Sequence, residues 1–161
     1  MPEKELNFED FINDVDPRYR GFVRETHEFM LDKGCKLKLA LAKNGYVVSY
    51  PYGKSKHVIF NYVFRKKGLV ARIYCDHIAQ YTDFIETLPE KIIDSIKKAP
   101  SCKRFENPPK CNSKCGGYVF SIKGTQHQKC RYNCMMITID DETTPFIKML
   151  IEKELEYRSI E

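Results

Sequence analysis

Apolar residues recur along this chain at two alternating spacings. From Leu6 the spacing is helical: Leu6, Phe8, Phe11, Ile12 and Val15 make a first face, stopped at Asp16-Pro17. Pro17 is placed to open a second helix with Asp16 as its cap. Phe22, Val23, Phe29 and Met30 then return at helical intervals, and Gly34 supplies the stop. Residues 37–42 fit either element. From Gly45 the period falls to two, through G-Y-V-V-S-Y, a turn over Pro51 to Lys56, H-V-I-F-N-Y-V-F, a hairpin turn at Arg65-Lys66-Lys67-Gly68, and L-V-A-R-I-Y-C. These β-branched and aromatic runs predict three antiparallel strands. Residues 78–99 read as helix again, with Tyr81, Phe84, Ile85 and Leu88 before Pro89 and Ile92, Ile93 and Ile96 after it. A last helix is expected from Thr144 to Tyr157, with Phe146, Ile147, Leu150, Ile151 and Leu155 inward.

The second half echoes the first. Gly45-Tyr46-Val47-Val48-Ser49 is answered by Gly117-Tyr118-Val119-Phe120-Ser121, Gly34-Cys35-Lys36 by Ser101-Cys102-Lys103, and His57 to Tyr62 by His127 to Tyr132 at its ends. The expected fold is therefore α+β: one domain over 1–161, built as a tandem duplication of an α-β-β-(β)-α unit. The two pseudo-repeats span about 18–88 and 89–158, with antiparallel sheet covered by helices on one side. Residues 45–50 and 117–122 should then share a structural environment. From Cys35 to Gly45 is 10 positions and from Cys102 to Gly117 is 15, so the second copy carries five extra residues. They fall in a proline-containing loop with little apolar surface to hold it down.

That loop carries the chemistry. Five of seven cysteines, Cys102, Cys111, Cys115, Cys130 and Cys134, lie between residues 101 and 136 in the spacing C-x8-C-x3-C-x14-C-x3-C. Clustered thiols of this kind suit a tetrahedral zinc site, with Zn–S about 2.3 Å, and metal binding would supply the constraint that the loop lacks. If 130–134 is a strand, Cys130 and Cys134 stand about 13 Å apart at 3.3 Å per residue. Sulfurs on one zinc are closer than about 4 Å, so only one of the two can then ligate. On that reading the ligands are Cys102, Cys111, Cys115 and Cys130. Cys134 is the alternative fourth ligand, since a hairpin turning at Gly124 would set it opposite Cys115. The competing account is five reduced thiols acting as small hydrophobes. An iron–sulfur cluster is disfavoured because a C-x3-C-x2-C motif would need cysteine where Tyr118 stands. Cys35 and Cys75 read as core residues.

Composition narrows the rest. A hydrophobic content of 42% and a charged content of 30% are ordinary for a globular chain. No apolar run approaches the length of a membrane span. The acidic start M-P-E-K-E-L lacks the form of a secretory signal, so the expected compartment is a reducing cytoplasm. The formal charge is +5 with thiols neutral; four thiolates (−4) and one Zn²⁺ (+2) bring it to +3, a weak case for nucleic acid. His27, His57, His77 and His127 are scattered, and no catalytic or nucleotide-binding motif is present. Three functions remain: a non-enzymatic zinc-stapled module binding a small molecule or protein partner, a nucleic-acid binder using basic turns and tyrosine-rich strands, or a thiol-based enzyme or redox protein. The first leads.

The segment V-S-Y-P-Y-G-K-S-K-H-V-I-F-N-Y-V-F-R-K-K-G-L-V-A-R-I-Y resembles the YdhG-like domain of unknown function over about residues 18–88. That resemblance implies an α/β domain, and some of its members are labelled intracellular iron chaperones. The cysteine half has no counterpart in that pattern, so no iron role passes to any residue here. The whole chain also resembles bacterial cytoplasmic proteins sharing a C-N-x-K-C…G-Y…K-C-R-Y arrangement, which implies a family and no activity.

Overall fold

The helical stretch over residues 6–31 is divided where Pro17 stands. A computed structural model describes residues 5–54, 56–101 and 117–158. Helix α1 (Phe8–Asp14) is capped by Asn7, whose side chain accepts the Asp10 N–H, and it buries Phe11 and Ile12. Asp16 accepts the Arg18 N–H at 3.0 Å across a 3₁₀ turn, Pro17–Tyr19, that opens on the proline. The chain runs straight on into α2 (Arg20–Asp32), which stops at Gly34 with φ +90°.

The strands β1 (Lys38–Ala42), β2 (Gly45–Tyr52), β3 (His57–Arg65) and β4 (Gly68–Ile73) follow as a meander. After β4 come a 3₁₀ turn (Ile78–Gln80), α3 (Thr82–Ile85) and, beyond Pro89, α4 (Glu90–Lys98), which buries Ile92, Ile93 and Ile96. A hairpin of β5 (Tyr118–Ile122) and β6 (Thr125–Lys129) precedes β7 (Met136–Thr138) and α5 (Thr144–Arg158). All pairings are antiparallel, in a five-stranded sheet ordered β1-β2-β3-β4-β7 and a separate two-stranded β5-β6 sheet. The fold is α+β.

One sheet face is aromatic. Tyr46, Tyr50, Phe60 and Tyr62 are buried there, and Phe11 of α1 lies 5.7–6.3 Å ring to ring from Tyr62, Phe64 and Tyr46. Each such ring removed from water contributes about 1.5–3 kcal/mol. His27 of α2 meets Tyr50 with Nδ1 2.9 Å from the hydroxyl, so α1 and α2 cover the same face. Lys148 of α5 lies over Phe29 of α2, setting α5 beside it.

The echoed segments share a form and differ in place. Residues 45–50 and 117–122 are each the first strand of an antiparallel hairpin. The former lies inside the large sheet, between β1 and β3; the latter belongs to the small sheet. β7 does not extend the second hairpin either: it returns to pair with β4 through Val70↔Thr138, Ala71↔Ile137 and Arg72↔Met136. The environments expected to match therefore do not.

Candidate metal centre

The expected ligands Cys102, Cys111 and Cys115 lie outside the described residues; Cys130 and Cys134 lie within them. What the structure does show is the frame on either side. Ser101 makes an antiparallel bridge to Lys129, and Tyr118 pairs with the same Lys129 from β5. Cys130 then donates its N–H to the Pro100 carbonyl at 3.0 Å. The chain before Cys102 and the chain after Cys115 thus both start from Lys129, one residue before Cys130.

Lys129 holds that junction. Its ammonium, on a residue only 7% exposed, donates to the Lys97 and Ala99 carbonyls at 2.8 and 2.9 Å. A cation on the last carbonyls of α4 satisfies acceptors the helix leaves open.

Residues 130–134 form a turn, which corrects the strand expectation. The Asn133 and Cys134 N–H groups both donate to the Cys130 carbonyl, at 3.1 and 2.8 Å. That i to i+4 closure is one helical turn, and it puts residues 130 and 134 on the same side with Cβ atoms about 5–6 Å apart. The argument for only one of the two sulfurs on a metal rested on extended geometry and lapses with it. Cys130 is half-buried, and its Sγ receives a 3.5 Å contact from Asn133 Nδ2. Cys134 is 1% exposed, and burial pushes its thiol up to about 12 against the pull of Lys129. A metal is one of the few agents that deprotonates so buried a thiol.

The turn is tied to the body through Arg131. Its guanidinium reaches Asp76 by Nε at 2.8 Å and Nη2 at 3.2 Å, and lies 4.3 Å from the Tyr74 ring centroid. Asp76 also accepts from Tyr118 at 2.9 Å and from Arg158 Nη2 at 3.0 Å. Burial raises the Asp76 pKa, yet hydrogen bonding from Arg131 prevails and holds it below the usual carboxylate range. Arg158 carries the network on to Glu154, at 2.8 Å, which also accepts from Tyr81 and from the His77 N–H. Sequence reasoning missed this network. The Glu154–Arg158 spacing of four was a signal for a helical ion pair, but nothing marked the pair as buried.

Other candidates resolve as structure. Cys35 and Cys75 are 5% and 0% exposed, as expected for core positions, and burial raises both thiols, Cys35 to about 11. Tyr46, Tyr50, Tyr62, Tyr74 and Tyr118 are buried and so unavailable for stacking on bases, whereas Tyr52 is half-buried and Tyr132 is exposed. Among the described residues no three His, Cys, Asp or Glu side chains converge as a metal group, and no helix is long and apolar enough to cross a membrane. No family model, curated protein or solved structure matches this chain.

Proposed function

We propose that this chain is a non-enzymatic binding module stapled by one structural zinc, acting on a small molecule or a protein partner in a reducing compartment such as the bacterial cytoplasm. The carrying observation is the convergence at Lys129. Both flanks of the segment with Cys102, Cys111 and Cys115 begin beside a turn that faces Cys130 and Cys134 to one side. In this reading Cys130 and Cys134 are two of the four thiolates, and Cys102, Cys111 and Cys115 supply the other two. The sequence-based choice of Cys130 is kept and Cys134 joins it. A fully thiolate-ligated zinc carries two negative charges, and the Lys129 ammonium, whose charge already opposes the effect of burial on Cys134, offsets part of them.

A thiol-based enzyme is the weaker reading. A nucleophilic cysteine needs a depressed pKa and partial exposure, whereas burial drives Cys35, Cys75 and Cys134 the other way. The nucleic-acid reading loses five of its seven tyrosines to the core, and Tyr52 and Tyr132 stay accessible.

The test is metal stoichiometry in protein purified without added zinc, beside each single Cys→Ser variant. Wild type should carry about one zinc per chain, Cys130→Ser and Cys134→Ser should each lose it, and one of Cys102→Ser, Cys111→Ser and Cys115→Ser should retain it. Wild-type stoichiometry near zero, with all variants as stable as wild type, would leave five ordinary thiols and end the proposal.

A further inference from the structure

The five-stranded sheet carries one polar row. Its register sets Lys38, Ser49, Asn61, Arg72 and Met136 directly opposite one another across β1, β2, β3, β4 and β7. Directly opposed side chains share a face at about 4.5–5.5 Å spacing, so these stand in one line. The adjacent row, Leu39, Val48, Tyr62, Ala71 and Ile137, points to the face covered by α1 and α2, which puts the polar row on the opposite face. The next pairs on that opposite face include Ala40↔Val47 and Val63↔Val70, with Thr138 beside Val70, so the polar row has mostly apolar neighbours.

Two buried polar atoms of this row lack hydrogen-bond partners among the described residues. Asn61 is 6% exposed, and its Oδ1 is buried with no hydrogen bond. Arg72 Nε is buried and equally unpartnered, and Nη2 reaches only Met136 Sδ at 3.9 Å. Neither Arg72 nor Lys38 forms an ion pair among the described residues. Buried polar groups are ordinarily satisfied and buried charges paired, and an orphan in the interior calls for an ion, water or ligand. Arg72 calls for an anion and Asn61 Oδ1 for a donor, one strand apart.

We infer that this row binds a small oxyanionic ligand, a phosphate or carboxylate whose neighbouring atom carries a hydroxyl or N–H. The planar fork of Arg72 takes two oxygens of the anion. The Ser49 hydroxyl donates to a third acceptor, Asn61 Oδ1 accepts from the ligand's own donor, and Lys38 adds charge from the edge strand. Lys38 is exposed, Ser49, Arg72 and Met136 are half-buried and Asn61 is buried between them. This deepens the binding-module reading by naming a ligand chemistry, and it is independent of the metal.

The experiment is an amide ¹H–¹⁵N titration of the full chain at pH 8 and fixed ionic strength with methyl phosphate, glycerol 3-phosphate and glycerate, with sodium chloride as control. Saturable shifts centred on Ser49, Asn61 and Arg72 are expected. Glycerol 3-phosphate binding tighter than glycerate assigns a phosphate, and the reverse a carboxylate; either should exceed methyl phosphate, which at pH 8 has no O–H to donate to Asn61. Arg72→Gln should weaken binding at least tenfold and Lys38→Gln about threefold, each with an otherwise native spectrum. Should Arg72→Gln fail to fold, the exposed Lys38→Gln and the half-buried Ser49→Ala carry the test. Shifts that are absent, unsaturable or scattered over surface lysines overturn the site, as do variants that bind like wild type. Zinc content is measured on the same samples. Binding without zinc sinks the metal reading and keeps this site; zinc without binding does the reverse.

Discussion

Glu154 is fully buried, and its carboxylate accepts from the Tyr81 hydroxyl at 2.7 Å, the His77 N–H at 3.0 Å and Arg158 Nε at 2.8 Å, with His77 Nδ1 at 2.7 Å. Replacing Glu154 with Leu keeps an apolar body of similar size and removes every acceptor. Losing one partner of a buried ion pair costs about 3–5 kcal/mol, because the other charge stays buried. Arg158 is 6% exposed but keeps the Asp76 carboxylate and the Tyr74 carbonyl, each at 3.0 Å, so its share belongs near about 3 kcal/mol, the low end of that range. Tyr81 is 3% exposed and loses the carboxylate to which its hydroxyl donates, which adds about 1–3 kcal/mol for a weakened buried hydroxyl. The expected destabilisation is about 4–6 kcal/mol, a large part of the roughly 5–15 kcal/mol that holds a domain together. It reads as a fall in Tm on the order of 10–20 °C. Urea unfolding, with ΔG taken from the midpoint at a common slope, measures it. The double variant Glu154→Leu/Arg158→Leu should cost less than the two single variants added together, since both singles lose the same ion pair. A cost under about 1 kcal/mol for Glu154→Leu, or a double variant worse than the sum of the singles, would refute the reasoning.

Two further outcomes follow from the same structure. The depressed pKa of Asp76 means its stabilisation is present above the unfolded value, about 3.9, and is lost as pH falls through the folded one. Asp76→Asn should therefore flatten the drop in urea midpoint between about pH 5 and pH 2; an equally steep acid arm would show that other carboxylates carry it. Gly45 has φ +130°, and a Cβ there would sit 3.1 Å from Phe64 Cδ2, so Gly45→Ala should cost about 1–3 kcal/mol in thermal unfolding. Gly53→Ala, at φ +67° with open space around it, should cost less, and the opposite order would dismiss the Phe64 contact as the cause.

Local signals were legible and non-local ones were not. Pro17, Gly34 and the hairpin at Arg65 to Gly68 each act within a few residues, and each stands where its chemistry predicts, whereas the stretch 78–99 expected as helix is divided into a 3₁₀ turn, α3 and, after Pro89, α4. Residues 38–42, K-L-A-L-A, alternate too weakly to choose an element alone, and pairing with β2 makes them a strand. Nothing in M-I-T announces a return to β4 across more than sixty residues. The turn at 130–134 is the same kind of case. C-R-Y-N-C suits a strand or a helical turn equally, and ties remote in sequence, Arg131 to Asp76 and Cys130 to Pro100, accompany the turn.

The polar row stands between these extremes, and it bears on where function shows in a sequence. Lys38, Ser49 and Arg72, taken singly, are ordinary polar positions in alternating strands. Asn61 is different: it interrupts H-V-I-F-N-Y-V-F, a run in which Ile59, Phe60, Tyr62 and Val63 are all 4% exposed or less. A strand apolar on both faces gains nothing in stability from an asparagine at its centre, least of all one whose Oδ1 is unsatisfied. Conflict between a local pattern and one of its residues is where a fold yields something to function. Register then supplies what the sequence lacks, by setting that asparagine between a serine and an unpaired arginine. If stability alone had chosen position 61, valine or threonine would fit the β3 pattern better. Asn61→Val should then hold the fold at least as well as wild type while abolishing the response to a hydroxyl beside the anion, so that glycerol 3-phosphate binds no tighter than methyl phosphate.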